Sequence, residues 1–234
     1  MSSAIILAGG LGTRLRAAVP DLPKPMAPIN GRPFLEHQLD YWIGQGVEHF
    51  VLSVGYRYET ITSHFGNSYR GAEMRYAIEQ TALGTGGGLL QALQTLNADR
   101  QVLLLNGDTY FEVKLPELRA FHQATSADWA FALFRTSEGG RYMGLELDAD
   151  RRITSLKSGS GKPGALANGG VYLLNPASLL TAGWTPGQKC SLEDDILPAL
   201  LACGGRFYGV ECAGMFIDIG VPEDYSRAAS LLAV

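Results

Sequence analysis

The chain has 234 residues, 46% hydrophobic and 18% charged, with a net charge of −4. That composition describes a globular protein with a sizeable core, and it gives no electrostatic reason to expect nucleic acid or an anionic membrane as partner. The longest apolar runs, such as Ile5 to Ala8 and Val102 to Leu105, are strand-sized and too short to span a bilayer. No signal-peptide pattern opens the chain, and Cys190, Cys203 and Cys212 are widely spaced without a Cys-x-x-Cys pair. These features predict unpaired thiols in a reducing cytoplasm and no zinc site.

Short apolar runs alternate with amphipathic segments, which predicts an α/β domain with a mostly parallel central sheet flanked by helices. The first strand, 4–8, opens into Gly9-Gly10-Leu11-Gly12-Thr13-Arg14-Leu15. Consecutive N–H groups in such a loop make a concave anion site, and Thr13 and Arg14 add a hydroxyl and a guanidinium fork. Leu15 breaks the dinucleotide pattern G-x-G-x-x-G, and the G-x-x-x-x-G-K-[ST] loop is absent. An ordinary glycine turn is the alternative reading. Next comes Pro23-Lys24-Pro25-Met26, and two cations, Arg14 and Lys24, near one anion loop point to a polyphosphate.

Phe34, Leu35, Leu39, Trp42 and Ile43 fall at helical spacing over 33–45, with Gly46 as the stop. Trp42 reads as core packing, and His37 and His49 as surface or helix-face residues rather than bases. Strands are predicted at 49–54 and 74–79, the latter followed by Glu79 and a second glycine cluster, Gly84-Thr85-Gly86-Gly87-Gly88, which opens a helix over 86–96. The strand 101–105 leads to Asn106-Gly107-Asp108, a carboxylate on a tight turn. A strand at 129–134 precedes 140–165, richer in Gly, Arg and Ser, which predicts a β-hairpin and loop insertion over the substrate. Strands at 168–174 and 206–211 and helices at 176–182 and 192–202 follow. Ser191 with Glu193, Asp194 and Asp195 fits a capped helix start with an acidic first turn, in preference to a metal site. A last apolar run, 213–217, delivers Asp218-Ile219-Gly220.

In an open parallel sheet ligands bind beyond the carboxyl ends of the strands, so these loops belong together. Two strand-end aspartates, Asp108 and Asp218, can share one hard cation, since Mg²⁺ takes one or two carboxylates plus substrate phosphates. Asp108 alone could equally be a turn former.

The ordered set Leu7 to Leu15, Pro23 to Met26, Leu83 to Gly86, Asn106 to Asp108, Asn168-Gly169-Gly170-Val171-Tyr172 and Asp218 to Gly220 resembles the sugar 1-phosphate nucleotidyltransferases, from residue 4 to about residue 225. Within that family, Pro23 to Asn30, Pro33 to Glu36 and Phe216 to Tyr225 are most similar to the enzymes that guanylylate D-glycero-α-D-manno-heptose 1-phosphate. The resemblance implies one Rossmann-like, glycosyltransferase-A-like nucleotidyltransferase domain over 1–234 with a small β-rich sugar-binding insertion. It also implies the reaction: a sugar 1-phosphate oxygen attacks the α-phosphorus of GTP in line, and pyrophosphate leaves. Arg14, Lys24, Asp108 and Asp218 are then the catalytic set, and Asp108 and Asp218 the Mg²⁺ ligands.

The nucleotide falls to Leu7, Ala8, Gly9, Gly10, Gly12, Thr13, Arg14, Glu79, Gly84 and Thr85, where Glu79 either accepts from guanine N1–H and N2–H₂ or is a solvated strand-end charge. Gly144, Asn168 and Gly169 are implied for the sugar. Relatives carry a Glu-Lys pair before Asn-Gly-Gly; here the stretch reads Ser155-Leu156-Lys157-Ser158-Gly159, so Lys157 or Lys162 is left to meet the sugar phosphate. A cytoplasmic enzyme with no nucleic-acid or membrane partner is implied, and a homodimer is allowed. The same chemistry with mannose 1-phosphate and GTP, or with a uridylyl or thymidylyl donor, is the near alternative. A non-catalytic nucleotide-sugar sensor is the distant one; it would keep the glycine loop but lose Arg14, Lys24 or an aspartate, and all are present.

Overall fold

The structure is a computed structural model describing residues 2–10, 12, 15, 19–96, 101–160, 162–180 and 183–233. The first strand, β1 (Ser3–Leu7), sends Ala4 and Ile6 to one face and Ile5 to the other, and all three are fully buried. A strand covered on both sides reads as a continuous apolar run. A short ribbon, β2 (Pro28–Ile29) and β3 (Arg32–Pro33), leads into α1 (Phe34–Gly44), where Phe34, Leu35, Leu39 and Trp42 are buried. Then come β4 (His49–Val54), α2 (Tyr58–Phe65), β5 (Ser68–Tyr69), β6 (Ala72–Ile78) and α3 (Gly84–Thr95). The strand β7 (Val102–Asn106) is followed by β8 (Thr109–Phe111), α4 (Leu115–Ala124) and β9 (Trp129–Arg135).

The insertion forms β10 (Gly144–Leu147) and β11 (Ile153–Lys157), an antiparallel hairpin as expected. The rest comprises β12 (Leu166–Leu174), α5 (Ala177–Leu180), α6 (Leu197–Ala202), β13 (Phe207–Glu211), β14 (Phe216–Asp218) and α7 (Pro222–Leu231).

Ten strands share one sheet in the order β11-β10-β12-β7-β1-β4-β6-β5, with β9 also on β12 and β13 on β9. The run β7-β1-β4-β6 is parallel, as expected of the sheet as a whole. Beyond β7 the sheet turns mixed: β12 runs antiparallel to both β7 and β9, and only β13 is parallel to its neighbour β9. Because β9 and β12 are also buried on both faces, their apolar runs look like parallel strands in sequence.

Helices α1, α2 and α4 cover one face and α3, α5 and α6 the other. A third, smaller core gathers Ile29, Phe34, Tyr110, Ile217, Ile219 and Ala228 where β8 pairs β14 under α7. The segment expected as one helix over 192–202 starts as a wide π-type turn, Leu192–Ile196, before α6. Ser191 Oγ accepts from Asp194 N–H and Ser191 N–H donates to Asp195, so this stretch is the capped start that its sequence describes.

Candidate active site

The parallel strands β1, β4, β6 and β7 end at a common edge, and a cleft of about 760 Å³ opens there. Leu7, Ala8, Gly9, Gly10, Gly12, Lys24, Glu79, Gly84, Thr85 and Asp108 all line it, so the structure brings together most of the residues expected to hold a nucleotide. Thr13 and Arg14 lie outside the described residues.

Close approach explains two of its glycines, one against backbone and one against a side chain. The Gly107 N–H donates to Leu7 O at 2.9 Å, and a Cβ at Gly107 would lie 2.6 Å from that oxygen. The ends of β1 and β7 can therefore close only over glycine. A Cβ at Gly9 would lie 2.5 Å from Glu79 Oε1. Glu79 itself is anchored: Oε1 accepts from the Ser53 hydroxyl at 3.1 Å and Oε2 from Leu83 N–H at 2.9 Å. The carboxylate is thus an oriented part of the cleft wall rather than a freely solvated strand-end charge, with lone pairs left for a ligand.

Asp108 stands on a turn locked from beneath, because the buried Gln38 amide of α1 donates to both Asn106 O and Thr109 O at 2.8 Å. Asp218 arrives from the far end of the chain: β14 pairs antiparallel with β8, opposing Asp218 to Thr109, and Ile219 N–H donates to Asp108 O at 3.0 Å. Between the carboxylates sits Lys24, whose Nζ is 2.5 Å from Asp108 Oδ2 and 3.8 Å from Asp218 Oδ1.

Burial pushes the Asp218 carboxyl up and the Asp108 charge adds to this, while Lys24, the Gly220 N–H and Arg141 pull it down. Among the described residues no group of three His, Cys, Asp or Glu could hold a metal ion. Two carboxylates plus ligand phosphates are nevertheless a set that suits Mg²⁺, which keeps water and phosphate ligands and seldom uses an all-protein cage.

Arg141 was not anticipated from sequence. Its guanidinium meets Asp218 Oδ2 at 3.4 Å and Glu138 at 3.1 Å, and also pairs with the buried Asp224, which Arg227 contacts at 2.7 Å from the other side. Its only sequence signal is its position just before Gly144, in a stretch otherwise read as loop. The partners of Arg141, Glu138, Asp218 and Asp224, line a second hollow of about 360 Å³ with Tyr142 and Phe216. Glu138, Glu211, Asp218 and Asp224 outnumber Arg135 and Arg227 in its wall, which disfavours a phosphate there.

The sugar side departs from expectation. Lys157 is exposed on β11 and does not line the cleft; its neighbour Ser158 does, with its hydroxyl on Asp194 Oδ1 at 2.6 Å. Lys162 is exposed too. Gly144 opposes Lys157 across the hairpin, and Gly169 packs on Phe111. Asn168 spends its amide on the Tyr172 hydroxyl at 2.6 Å and on Gly170 N–H at 3.2 Å, shaping a break in the β12 register. None of the three is in the wall of either hollow.

Glu193, read from sequence only as part of a helix start, does line the cleft. Burial pushes its carboxyl up, against the Thr85 hydroxyl that donates to Oε2 at 2.6 Å. Thr85, expected to hold nucleotide, also accepts from Leu192 N–H at 2.8 Å and so is committed to this segment.

A sequence profile of the family described as Nucleotidyl transferase matches residues 3–233. A D-glycero-alpha-D-manno-heptose 1-phosphate guanylyltransferase from Aneurinibacillus thermoaerophilus is 40% identical over 96% of both chains. One of the same description from Campylobacter jejuni is 36% identical over 95% of this chain and 96% of its own. Among solved structures, HddC from Yersinia pseudotuberculosis complexed with GMP-PN superposes with a TM-score of 0.84 at 33% identity, covering 100% of both chains.

Proposed function

Because the chain belongs to the nucleotidyl transferase family, we propose that it is the guanylyltransferase that joins GMP from GTP to D-glycero-α-D-manno-heptose 1-phosphate, releasing pyrophosphate. The observation that carries the chemistry is Lys24 held between Asp108 and Asp218 at the mouth of a glycine-walled cleft. The identity to heptose 1-phosphate guanylyltransferases supports the choice of substrates.

Attack is in line, with the sugar phosphate oxygen as nucleophile and pyrophosphate as leaving group. No side chain need form a covalent bond, so the protein positions two polyanions and offsets their repulsion. Gly10, Gly12, Thr13 and Arg14 wrap the triphosphate, with Arg14 on the departing pyrophosphate. Lys24 neutralises charge at the α-phosphate. Glu79, oriented by Ser53 and Leu83, accepts from the N1–H and N2–H₂ of guanine, a donor pair that uracil and thymine lack. Asp108 and Asp218 hold a divalent cation, Mg²⁺, which when bound screens nucleophile from target and acts as Lewis acid.

Asn168 and Gly169 meet the sugar hydroxyls, with Gly144 in the same pocket. No helix among the described residues is long and apolar enough to cross a membrane. The proposed product is an activated heptose for capsule, surface-layer or lipopolysaccharide assembly, made in the cytoplasm.

Pyrophosphate release tests it: GTP, UTP, dTTP, CTP and ATP with Mg²⁺, each crossed with heptose, mannose, glucose and N-acetylated amino-sugar 1-phosphates. Turnover confined to GTP with the heptose is expected. Preference for mannose 1-phosphate or another nucleotide replaces the substrate, and silence with every pair supports a nucleotide-sugar sensor.

A further inference from the structure

The side chain of Lys24 is only 13% exposed, and its ammonium fills the gap between two carboxylates read above as ligands of a dication. Its backbone is pinned: the flanking prolines and a single 3-10 turn, Lys24–Met26, fix the main chain, and Ala27 N–H donates to Lys24 O. The walls beside the stem are glycine, since a Cβ at Gly12 would come within 3.1 Å of Lys24 Cβ and one at Gly220 within 3.0 Å of Nζ. A lysine on a fixed stem between small walls can swing its terminal methylenes by a few ångströms without moving the fold.

An ammonium and a dication cannot share this gap. Without a cation, Asp108, 39% exposed, and the more enclosed Asp218, 19% exposed, repel each other, and the charge of Lys24 between them offsets this. If a metal ion enters alone, the ammonium is expelled against a doubly charged neighbour. If metal and triphosphate enter together, the phosphates receive the ammonium.

We propose that Lys24 is the place-holder for the divalent cation in the free protein and exchanges from the Asp108–Asp218 pair to a phosphate oxygen as metal and nucleotide bind. The proposal rests on the reading of Asp108 and Asp218 as metal ligands. Its consequence is coupling: the free protein binds the ion weakly, nucleotide tightens it, and by linkage the ion tightens nucleotide by the same factor.

The test is Mn²⁺ binding to the full chain without nucleotide, read from the free-ion electron paramagnetic resonance signal. Lys24→Met is expected to bind Mn²⁺ at least about tenfold more tightly than wild type, within the range of ordinary site–site coupling. Arg141→Gln is the control, because it also removes a positive charge beside Asp218 but one that is not between the carboxylates. It should tighten binding by less than about threefold, a field effect only.

Lys24→Gln, with near-ultraviolet circular dichroism matching wild type, guards against a misfolded variant, and adding Asp108→Asn should erase the gain. Equal tightening in Lys24→Met and Arg141→Gln, or none in Lys24→Met and Lys24→Gln while wild-type turnover stays metal-dependent, overturns the exchange alone. Metal-independent turnover of wild type, or no Mn²⁺ site in any variant, overturns the ligand assignment beneath it.

Discussion

On the β7-β1-β4-β6 side of the sheet the cleft is shaped by close approach, with Gly107 against the Leu7 backbone and Gly9 against the anchored Glu79 carboxylate. On the β12-β10-β11 side, the residues expected to touch the sugar are engaged elsewhere: Asn168 with Tyr172 of its own strand, Gly169 with Phe111 of β8, and Lys157 is exposed. The parallel half thus forms its site from strand ends that must converge, whereas the insertion contributes a wall whose shape depends on a hairpin. Steric necessity restricts the first to few residue types; the second tolerates many.

Substitutions can break that contrast or sharpen it. Asp108→Asn should cost the most, a fall in kcat of about 10² to 10³ with unchanged circular dichroism, since it removes a transition-state charge contact at nearly constant shape. Wild-type rates would remove Asp108 from the chemistry. Gly107→Ala should lower unfolding free energy in urea by about 2 kcal/mol through the contact with Leu7 O, a loss that carries the site with it; an unchanged midpoint would mean that the strand ends part easily. Glu79→Gln should reduce the preference for GTP over UTP by about tenfold with little change in stability, because the amide oxygen can still accept one of the two anchoring bonds. Unaltered selectivity would confine Glu79 to holding the turn. Lys157→Ala should change the KM for sugar 1-phosphate by less than about twofold, as expected for an exposed cation without a partner pair in the cleft. A large rise would bring the hairpin onto the phosphate and erase the contrast.

The same division explains what can be read from the chain alone. The strands at 4–8, 49–54 and 101–105, the close-approach glycines Gly9 and Gly107 and the aspartate turns are legible because burial on both faces and contact restrictions leave few alternatives. Antiparallel β12 was not, since a doubly buried strand has the same apolar pattern in either direction. Arg141 and Glu193 escaped because their roles come from partners distant in sequence, Asp218 and Asp224 for one and Thr85 for the other. The cluster Gly84 to Gly88 serves two surfaces, since Gly84, Thr85 and Gly88 line the cleft while the run also packs against residues 188–191. A Cβ at Gly84 would lie 2.5 Å from Cys190 O and one at Gly87 2.5 Å from Gln188 O, so much of that run makes room for the protein's own segment.

The β2-β3 ribbon, which follows Lys24, is tied to the far end of the chain. Asn30 donates to Ala229 O across 199 residues, and the Tyr225 hydroxyl to Pro28 O across 197. Closing loops of that length gives high contact order, which delays folding. As the polypeptide leaves the ribosome, the anion loop and Lys24 emerge first, yet the segment that brings in Asp218 and seals the ribbon follows nearly two hundred residues later. Synthesis therefore sets a clock on competence: the cleft draws its wall from residues as late as Asp194 and its second carboxylate from Asp218, so the complete site exists only once most of the chain has been made.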